Sequence, residues 1–450
     1  MEHSEFVIDD VRTAPGGPAR AVWVLGGRIA GLEAAGLAPA GLARVEGRGL
    51  LALPAGVDFH VHFRTPGGEH KETLQSGARA AVKGGIGTCG DMPNTAPPTT
   101  TLERLEQKLA LAEGAPARIY FHFGAAPDNL AEVKRAARHP RVKALKVYMG
   151  PSTGQGGLAP EHVEAHLRQA AELGLPVIVH AEDLERIRAN ERAYPHLVRH
   201  HGDLRPLEAE LAAVRQALAL AAKYPVRLCI AHCTSARVIE LAERSGIRER
   251  VFVEVAPHHL LLTGEGMRQG DCRGKVNPPL RPEAERAALF ARLAEGIDGL
   301  GSDHAPHTLA EKALPYDQAP SGIPGVEYQL PLALTWWALG RYDLARLVGL
   351  TGANAARFFG LDAGALAPGH PADIVLVDPD ALWTIARGDD AVASQCGWTP
   401  YAGMRMRGRV EMTFVGGRLV WSRQDGWADP APAASAAPAP GPGPRDDCCG

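Results

Sequence analysis

A chain of 450 residues that is 45% hydrophobic can bury one large core and still supply a second, smaller one, which excludes disorder for most of its length. Its formal net charge of -3, without a long basic run, argues against nucleic acid or an anionic membrane surface as main partner and favours a small-molecule substrate. No apolar run reaches spanning length, and the N-terminus MEHSEFVIDD lacks the basic and apolar regions of a signal peptide, so a cytoplasmic location is expected.

Residues 1–52 contain strand-like pieces such as AVWVLGGRIAGLE, and the same pattern, again with a GG turn, returns in ADIVLVD and VEMTFVGGRLVW within residues 364–428. These two flanks are expected to pair into one small composite β-domain. Between them, in residues 53–363, eight short apolar or β-branched runs alternate with longer stretches of helical period. The runs are PAGVDFH, IGTCGDMP, RIYFHFG, VKALKVYM, PVIVH, RLCIAH, VFVEVA and DGLGSDH. Stretches such as KETLQSGARAAVK, EHVEAHLRQAAEL and LEAELAAVRQALALAAK lie between them. This alternation predicts an α/β fold, a (β/α)8 TIM-like barrel with a small β-sandwich built from both termini. A doubly wound open sheet would place a Gly-rich phosphate loop after its first strand, and none stands there. Residues 429–450, rich in Pro and Ala, are expected to be a disordered tail. The seven cysteines (Cys89, Cys229, Cys233, Cys272, Cys396, Cys448, Cys449) are scattered and odd in number, so reduced thiols are expected, including the pair that flanks His232.

Several of the predicted strands end in a potential metal ligand: His60 and His62 on the first, Lys146 on the fourth, His180 on the fifth, His232 on the sixth and Asp303 on the eighth. Residues at i and i+2 of a strand share a face, so the two imidazoles of FHVH point the same way. Strand C-termini share one end of a barrel, which would gather all these side chains in one cavity. Lys146 in the apolar run KALKVYM would set an ammonium beside metal cations at a large desolvation cost. Reaction with carbon dioxide removes that conflict, because a carboxylated lysine is an anion able to bridge two metals about 3.5–4 Å apart. Two bridged metals acidify a shared water, and Asp303 could take up its proton and deliver it to a leaving nitrogen. The chemistry expected is metal-assisted hydrolysis of an amide-like carbonyl.

FHVHFRTPGGEHKET, DMPNTAPPT, LKVYMGPSTG, VIVHAED, IAHCTS, APHHLLLT, KVNPPLR, SDHAPHTLAEK and APSGIPGVE, in this order over about residues 50 to 425, resemble the cyclic amidohydrolase family and, within it, the dihydroorotase branch. The resemblance implies a binuclear zinc barrel that reversibly opens and closes the dihydroorotate ring, with N-carbamoyl-L-aspartate as the open form. It implies Arg64, Asn94 and His307 as contacts to the substrate carboxylate and Asn277 as a contact to the ring. A guanidinium suits this role because it offers a planar fork to a carboxylate. Hydantoinase-like and allantoinase-like relatives generally lack this arginine, which makes Arg64 the discriminator against another cyclic amidase. An inactive scaffold is the other alternative, although all six ligand positions are chemically competent. The bridging role of Lys146 follows the lysine-bearing branch of the family, since other members bridge with aspartate. Asp58 is read as orienting an imidazole, His258 and His259 as supporting groups, and GPSTGQGG as a mobile segment near the mouth. The resemblance further suggests a homodimer and a complex with aspartate transcarbamoylase.

Overall fold

In a (β/α)8 barrel each strand is covered by helices outside and by side chains inside, so its residues must be apolar on both faces or carry the site. The chain satisfies this: β6 (Gly56–Val61), β7 (Ile86–Asp91), β10 (Val177–His180) and β12 (Val251–Val255) are buried at every position. The computed structural model describes residues 5–37, 41–154, 156–266, 271–386 and 392–428; the predicted tail, with Cys448 and Cys449, lies outside them. Before the barrel come β1 (Phe6–Val11), β2 (Arg20–Leu25), β3 (Arg28–Ala34), β4 (Ala43–Glu46) and β5 (Leu51–Pro54). Its remaining strands are β8 (Arg118–Gly124), β9 (Val142–Tyr148), β11 (Leu228–Ile230) and β13 (Gly299–Leu300). The eight strands β6 to β13 pair in sequence order, and a parallel bridge between Val61 and His304 joins the last strand's exit to the first.

Within the barrel, strand spacing separates an apolar floor from a polar mouth. Ala144, Ile178 and Phe252 belong to one buried cluster with Cys229 and Phe359. Two residues further along the same three strands, on the same face, stand Lys146, His180 and Glu254. The floor excludes water from below and leaves the chemistry at the C-terminal end.

The flanks build a sandwich of two sheets. One holds β3, β2, β1 and β4; the other holds β14 (Ile374–Thr384), β15 (Arg405–Val415), β16 (Arg418–Ser422) and β17 (Gly426–Trp427) with β5 added at its edge. Because β5 pairs antiparallel with β14, the N-terminal and C-terminal segments form one layer. Phe6, Ile8 and Val22 of the first sheet share a core with Ile374 and Phe414 of the second, where Phe6 and Phe414 stack at 5.6 Å. The predicted GG turns are there: Gly26–Gly27 and Gly416–Gly417 all have positive φ, as a two-residue hairpin turn requires.

One buried ion pair fixes the exit of the first barrel strand. Lys108 Nζ lies 2.5 Å from Asp91 Oδ2, with both side chains fully buried, and also donates to the Met92 carbonyl at 2.8 Å. Asp91 Oδ1 accepts the Phe63 backbone N–H at 2.8 Å, next to Arg64. Lys108→Met leaves the aspartate charge buried without its partner; a loss of about 3–5 kcal/mol of stability is expected, read as a lowered urea midpoint.

Candidate metal centre and active site

The ends of five strands bring the predicted ligands together. His62 Nε2 lies 3.0 Å and His60 Nε2 3.4 Å from Asp303 Oδ1, and ligand atoms of the three residues all fall within 4.8 Å of one another. His180 Nδ1 lies 3.0 Å from His232 Nε2, and the His60 and His232 rings are 5.2 Å apart. Arg64, His232 and Asp303 take left-handed backbone conformations with φ of 59°, 38° and 46°, a strained region for side-chain-bearing residues. In each the chain turns as it leaves, or just after leaving, its strand.

Hydrogen bonding fixes what the imidazoles present inward. His60 Nδ1 lies 2.6 Å from Glu254 Oε1, and His180 Nε2 lies 2.8 Å from Glu182 Oε2. A carboxylate accepts only, so in each neutral ring the hydrogen sits on the outer nitrogen. The inner nitrogens, His60 Nε2 and His180 Nδ1, then carry lone pairs facing Asp303 and His232. Likewise His62 Nδ1 meets Asn94 Oδ1 at 2.5 Å, which turns its Nε2 lone pair toward Asp303. Lone pairs and a carboxylate aimed at one another call for cations between them. Burial draws His62 down to about 3 and His180 and His232 below their ordinary value, holding the rings in the neutral form that metals bind.

Lys146 stands on the same face, 1% exposed, and its Nζ has no hydrogen-bond partner among the described residues. Burial pulls its pKa down to about 8, so a substantial fraction is a nucleophilic amine near neutrality. A buried amine without a partner among the described residues, lining the same cleft as His60, His62, His180 and His232, fits a group that acquires further atoms.

Glu254 and Glu182 are site residues that strand-end reasoning passed over. Glu254 reaches two ligands at once, since its Oε1 also lies 3.2 Å from the His232 backbone N–H. Gly301 makes the room: a Cβ there would sit 2.4 Å from the Glu254 carboxyl carbon. Arg205 holds Glu182 through Nε at 3.1 Å and through Nη2. Burial raises the Glu182 pKa, but Arg205 and His180 override it and leave the value at about 2. The available signal was a carboxylate inside an apolar strand (VFVEVA) and another two residues after a ligand (VIVHAED). Asp58 departs from its expected role. Its Oδ1 accepts the backbone N–H groups of His60 at 3.2 Å and Ser302 at 3.1 Å, so it joins the first strand to the eighth, and Glu254 orients the imidazole instead.

The predicted substrate residues line one cleft of about 350 Å³ with His60, His62, Lys146, His180, His232 and Asp303: Arg64, Asn94 and Asn277 are among its walls. Arg64 Nε donates to the Pro306 carbonyl at 3.1 Å and its Nη2 stands 3.0 Å from His307 Nε2, so part of the guanidinium is held from behind while the side chain lines the cleft. His307 is buried just behind it. Lys71 Nζ lies 3.1 Å from His307 Nδ1 and pairs with Glu311 Oε1 at 2.8 Å, and the Ser321 carbonyl lies 3.1 Å from His307 Nε2. Asn277 Oδ1 has no partner among the described residues. Ser152 and Thr153 of the glycine-rich loop also line the cleft, while Gln155 lies outside the described residues. His258 and His259 are buried on the short helix Pro257–Leu261 and do not join the ligand group. The connection between β14 and β15 reaches over the same end. Trp398 Nε1 donates to the His307 carbonyl at 2.7 Å, and Glu72, fully buried behind the Arg64 loop, accepts the Gln395 N–H at 3.2 Å and the Ser394 hydroxyl. Cys89, Cys229, Cys233, Cys272 and Cys396 are free and buried, and burial raises all five thiols above their ordinary value.

A barrel whose strand ends carry paired histidines, a buried lysine and an aspartate is the arrangement of a metal-dependent hydrolase. The amidohydrolase family model matches residues 51–420, and the chain belongs to the amidohydrolase family. Within it the chain groups with the dihydroorotases. It is 40% identical over 377 residues to the dihydroorotase of Halobacterium salinarum, covering 82% of this chain and 86% of that one. It is 36% identical over 403 residues to that of Methanosarcina acetivorans, covering 86% and 85%. Among solved structures, L-hydantoinase (dihydropyrimidinase) from Arthrobacter aurescens matches with a TM-score of 0.86 at 26% identity, over 95% of this chain and 98% of that one. D-hydantoinase from Bacillus sp. AR9 gives 0.85 at 26% identity, over 94% and 97%. The family is in general metal-dependent.

Glu182→Ala frees the His180 ring and leaves Arg205 unpaired. A weakening of metal binding by about 10–100-fold is expected, read as metal retained against a graded chelator with the far-ultraviolet circular dichroism unchanged.

Proposed function

We propose that the protein is a dihydroorotase, interconverting L-dihydroorotate and N-carbamoyl-L-aspartate in pyrimidine synthesis. The observation that carries the reading is the Arg64 fork beside the inward lone pairs of His60 and His62, which puts a carboxylate receptor next to a hydrolytic centre. Dihydroorotate has its carboxylate next to a ring nitrogen and its scissile amide elsewhere in the same ring, so one small cleft must serve both.

Two zinc ions fit the donor set. His60, His62 and Asp303 would hold one, His180 and His232 the other, with carboxylated Lys146 between them. Carboxylation joins the Lys146 nitrogen to the carbon of CO2 and releases a proton, turning an orphaned amine into an anion with two donor oxygens. When bound, the ions polarise the ring carbonyl and acidify a water. Arg64 holds the substrate carboxylate through its remaining donors, assisted by Asn94, while His307 supports Arg64 from behind. The Asn277 amide, whose oxygen is unpartnered, receives an N–H of the ring. In ring opening Asp303 accepts the proton released by the attacking water and passes it to the departing ring nitrogen; ring closure runs the same transfer backward. Residues 53–363 form the catalytic barrel in this reading, and the free buried thiols suit a reducing cytoplasm. No helix among the described residues is long and apolar enough to cross a membrane. A homodimer and assembly with aspartate transcarbamoylase extend the reading, and light scattering of the protein alone and mixed tests both.

The test is ring opening of dihydroorotate, followed in the ultraviolet, with the zinc-loaded and bicarbonate-treated protein. Turnover is expected, with kcat/KM lowered about a hundredfold or more in Arg64→Ala. Lys146→Ala is expected to lose zinc and activity together, and near-normal activity would refute its bridging role. Opening of hydantoin or allantoin but not of dihydroorotate would make the protein another cyclic amidase, and inertness toward all three a scaffold.

A further inference from the structure

Two lysines near the cleft are buried without a counter-charge. Lys312 is 1% exposed and Lys275 9%, and no carboxylate lies within ion-pair distance of either Nζ among the described residues. Lys312 Nζ donates instead to three carbonyls, those of Lys275 at 3.0 Å, Pro320 at 2.9 Å and Gly322 at 2.9 Å. Lys275 Nζ donates to the carbonyls of Tyr316 at 2.7 Å and Ala319 at 2.8 Å, and stands 4.0 Å over the Tyr316 ring. Burial draws Lys312 down to about 7, but the three carbonyl oxygens around it match the three hydrogens of an ammonium and favour that form.

All but one of these carbonyls belong to residues 313–323, an irregular segment whose own apolar cluster consists of Ala319 and Cys272 with Tyr316 packed on them. Ile323 anchors the end of the segment in a second cluster with Val276, Leu280 and Trp398, but between these two small clusters the buried carbonyls of residues 316–322 must still find donors. The segment ends in the cleft wall. Its Ser321 carbonyl accepts from His307 Nε2 at 3.1 Å and from the Thr153 hydroxyl at 2.9 Å. Gly322 is pressed so close that a Cβ would meet Arg64 Nη2 at 3.2 Å and the Ala305 carbonyl oxygen at 2.5 Å.

We propose that Lys312 is a positioning residue for substrate binding: its ammonium fixes the backbone of residues 320–322 against Arg64 and His307, and Lys275 completes the brace. Substrate affinity then depends on a side chain outside the cleft lining. The kinetic part rests on the dihydroorotase reading; the structural part does not.

Lys312→Met keeps the side chain's length and removes all three donors. In the full-length, zinc-loaded protein, hydrogen–deuterium exchange is expected to accelerate about tenfold or more in residues 313–323, with the barrel strands unchanged. In the dihydroorotate assay KM is expected to rise about tenfold while kcat stays within about twofold and zinc content is unaltered. Unchanged exchange in that segment, or a fall in kcat with KM unmoved, overturns the proposal. Should the Met variant not fold, Lys312→Gln, with two amide hydrogens, is expected to show the same changes at smaller size. If the unmodified protein does not open dihydroorotate, the functional reading fails, and the exchange comparison alone decides whether the brace exists.

Discussion

A neutral imidazole carries one hydrogen, and the structure depends on where that hydrogen points. Glu254 and Glu182 take it from the outward nitrogens of His60 and His180, and Asn94 does the same for His62. The inward nitrogens are left as acceptors facing other acceptors, an arrangement that repels itself until cations stand between. The apolar floor sharpens the demand by keeping out the water that would otherwise screen the lone pairs. Burial of the outer carboxylates is then part of the same design: Glu182 stays ionised only because Arg205 accompanies it into the interior.

Charge is divided across the cleft. One side gathers acceptors for cations; the other holds Arg64, backed by the His307 ring, whose protonation burial and the neighbouring cations oppose, and by the Lys71–Glu311 ion pair. An anionic substrate with a polarisable amide spans both sides in one orientation, so binding and reaction geometry follow from the same field. The hydantoinases share the fold, so the barrel and sandwich do not by themselves set the substrate; in the proposed function that choice falls to groups such as Arg64.

Much of this was legible in the residue order. Strand period located all eight barrel strands, and the convergence of the candidate ligands was legible because strand ends share one rim: FHVH, KALKVYM, PVIVH, RLCIAH and DGLGSDH each deliver a side chain to one cleft. The carboxylates behind the imidazoles were less so. Asp58 is closer in sequence to His60 than Glu254 is, yet a strand carries Asp58 one layer below its neighbour, and only the closed barrel brings the seventh strand's Glu254 onto the first strand's histidine. Lys275 and Lys312 were illegible for another reason. Their partners are backbone carbonyls, which every residue has, so no sequence pattern marks them.

The connection between β14 and β15 gives the sandwich a meaning beyond packing. Trp398 grips the carbonyl of His307, and Ser394 and Gln395 close on the carboxylate of Glu72 behind the Arg64 loop. A connection late in the sequence thus clasps the Arg64 loop that follows the first barrel strand. A gene fragment encoding only the barrel would carry every ligand and still lack that clasp. Barrel and sandwich are therefore one heritable unit, and recombination between them would separate the residues that hold the substrate from those that hold them in place.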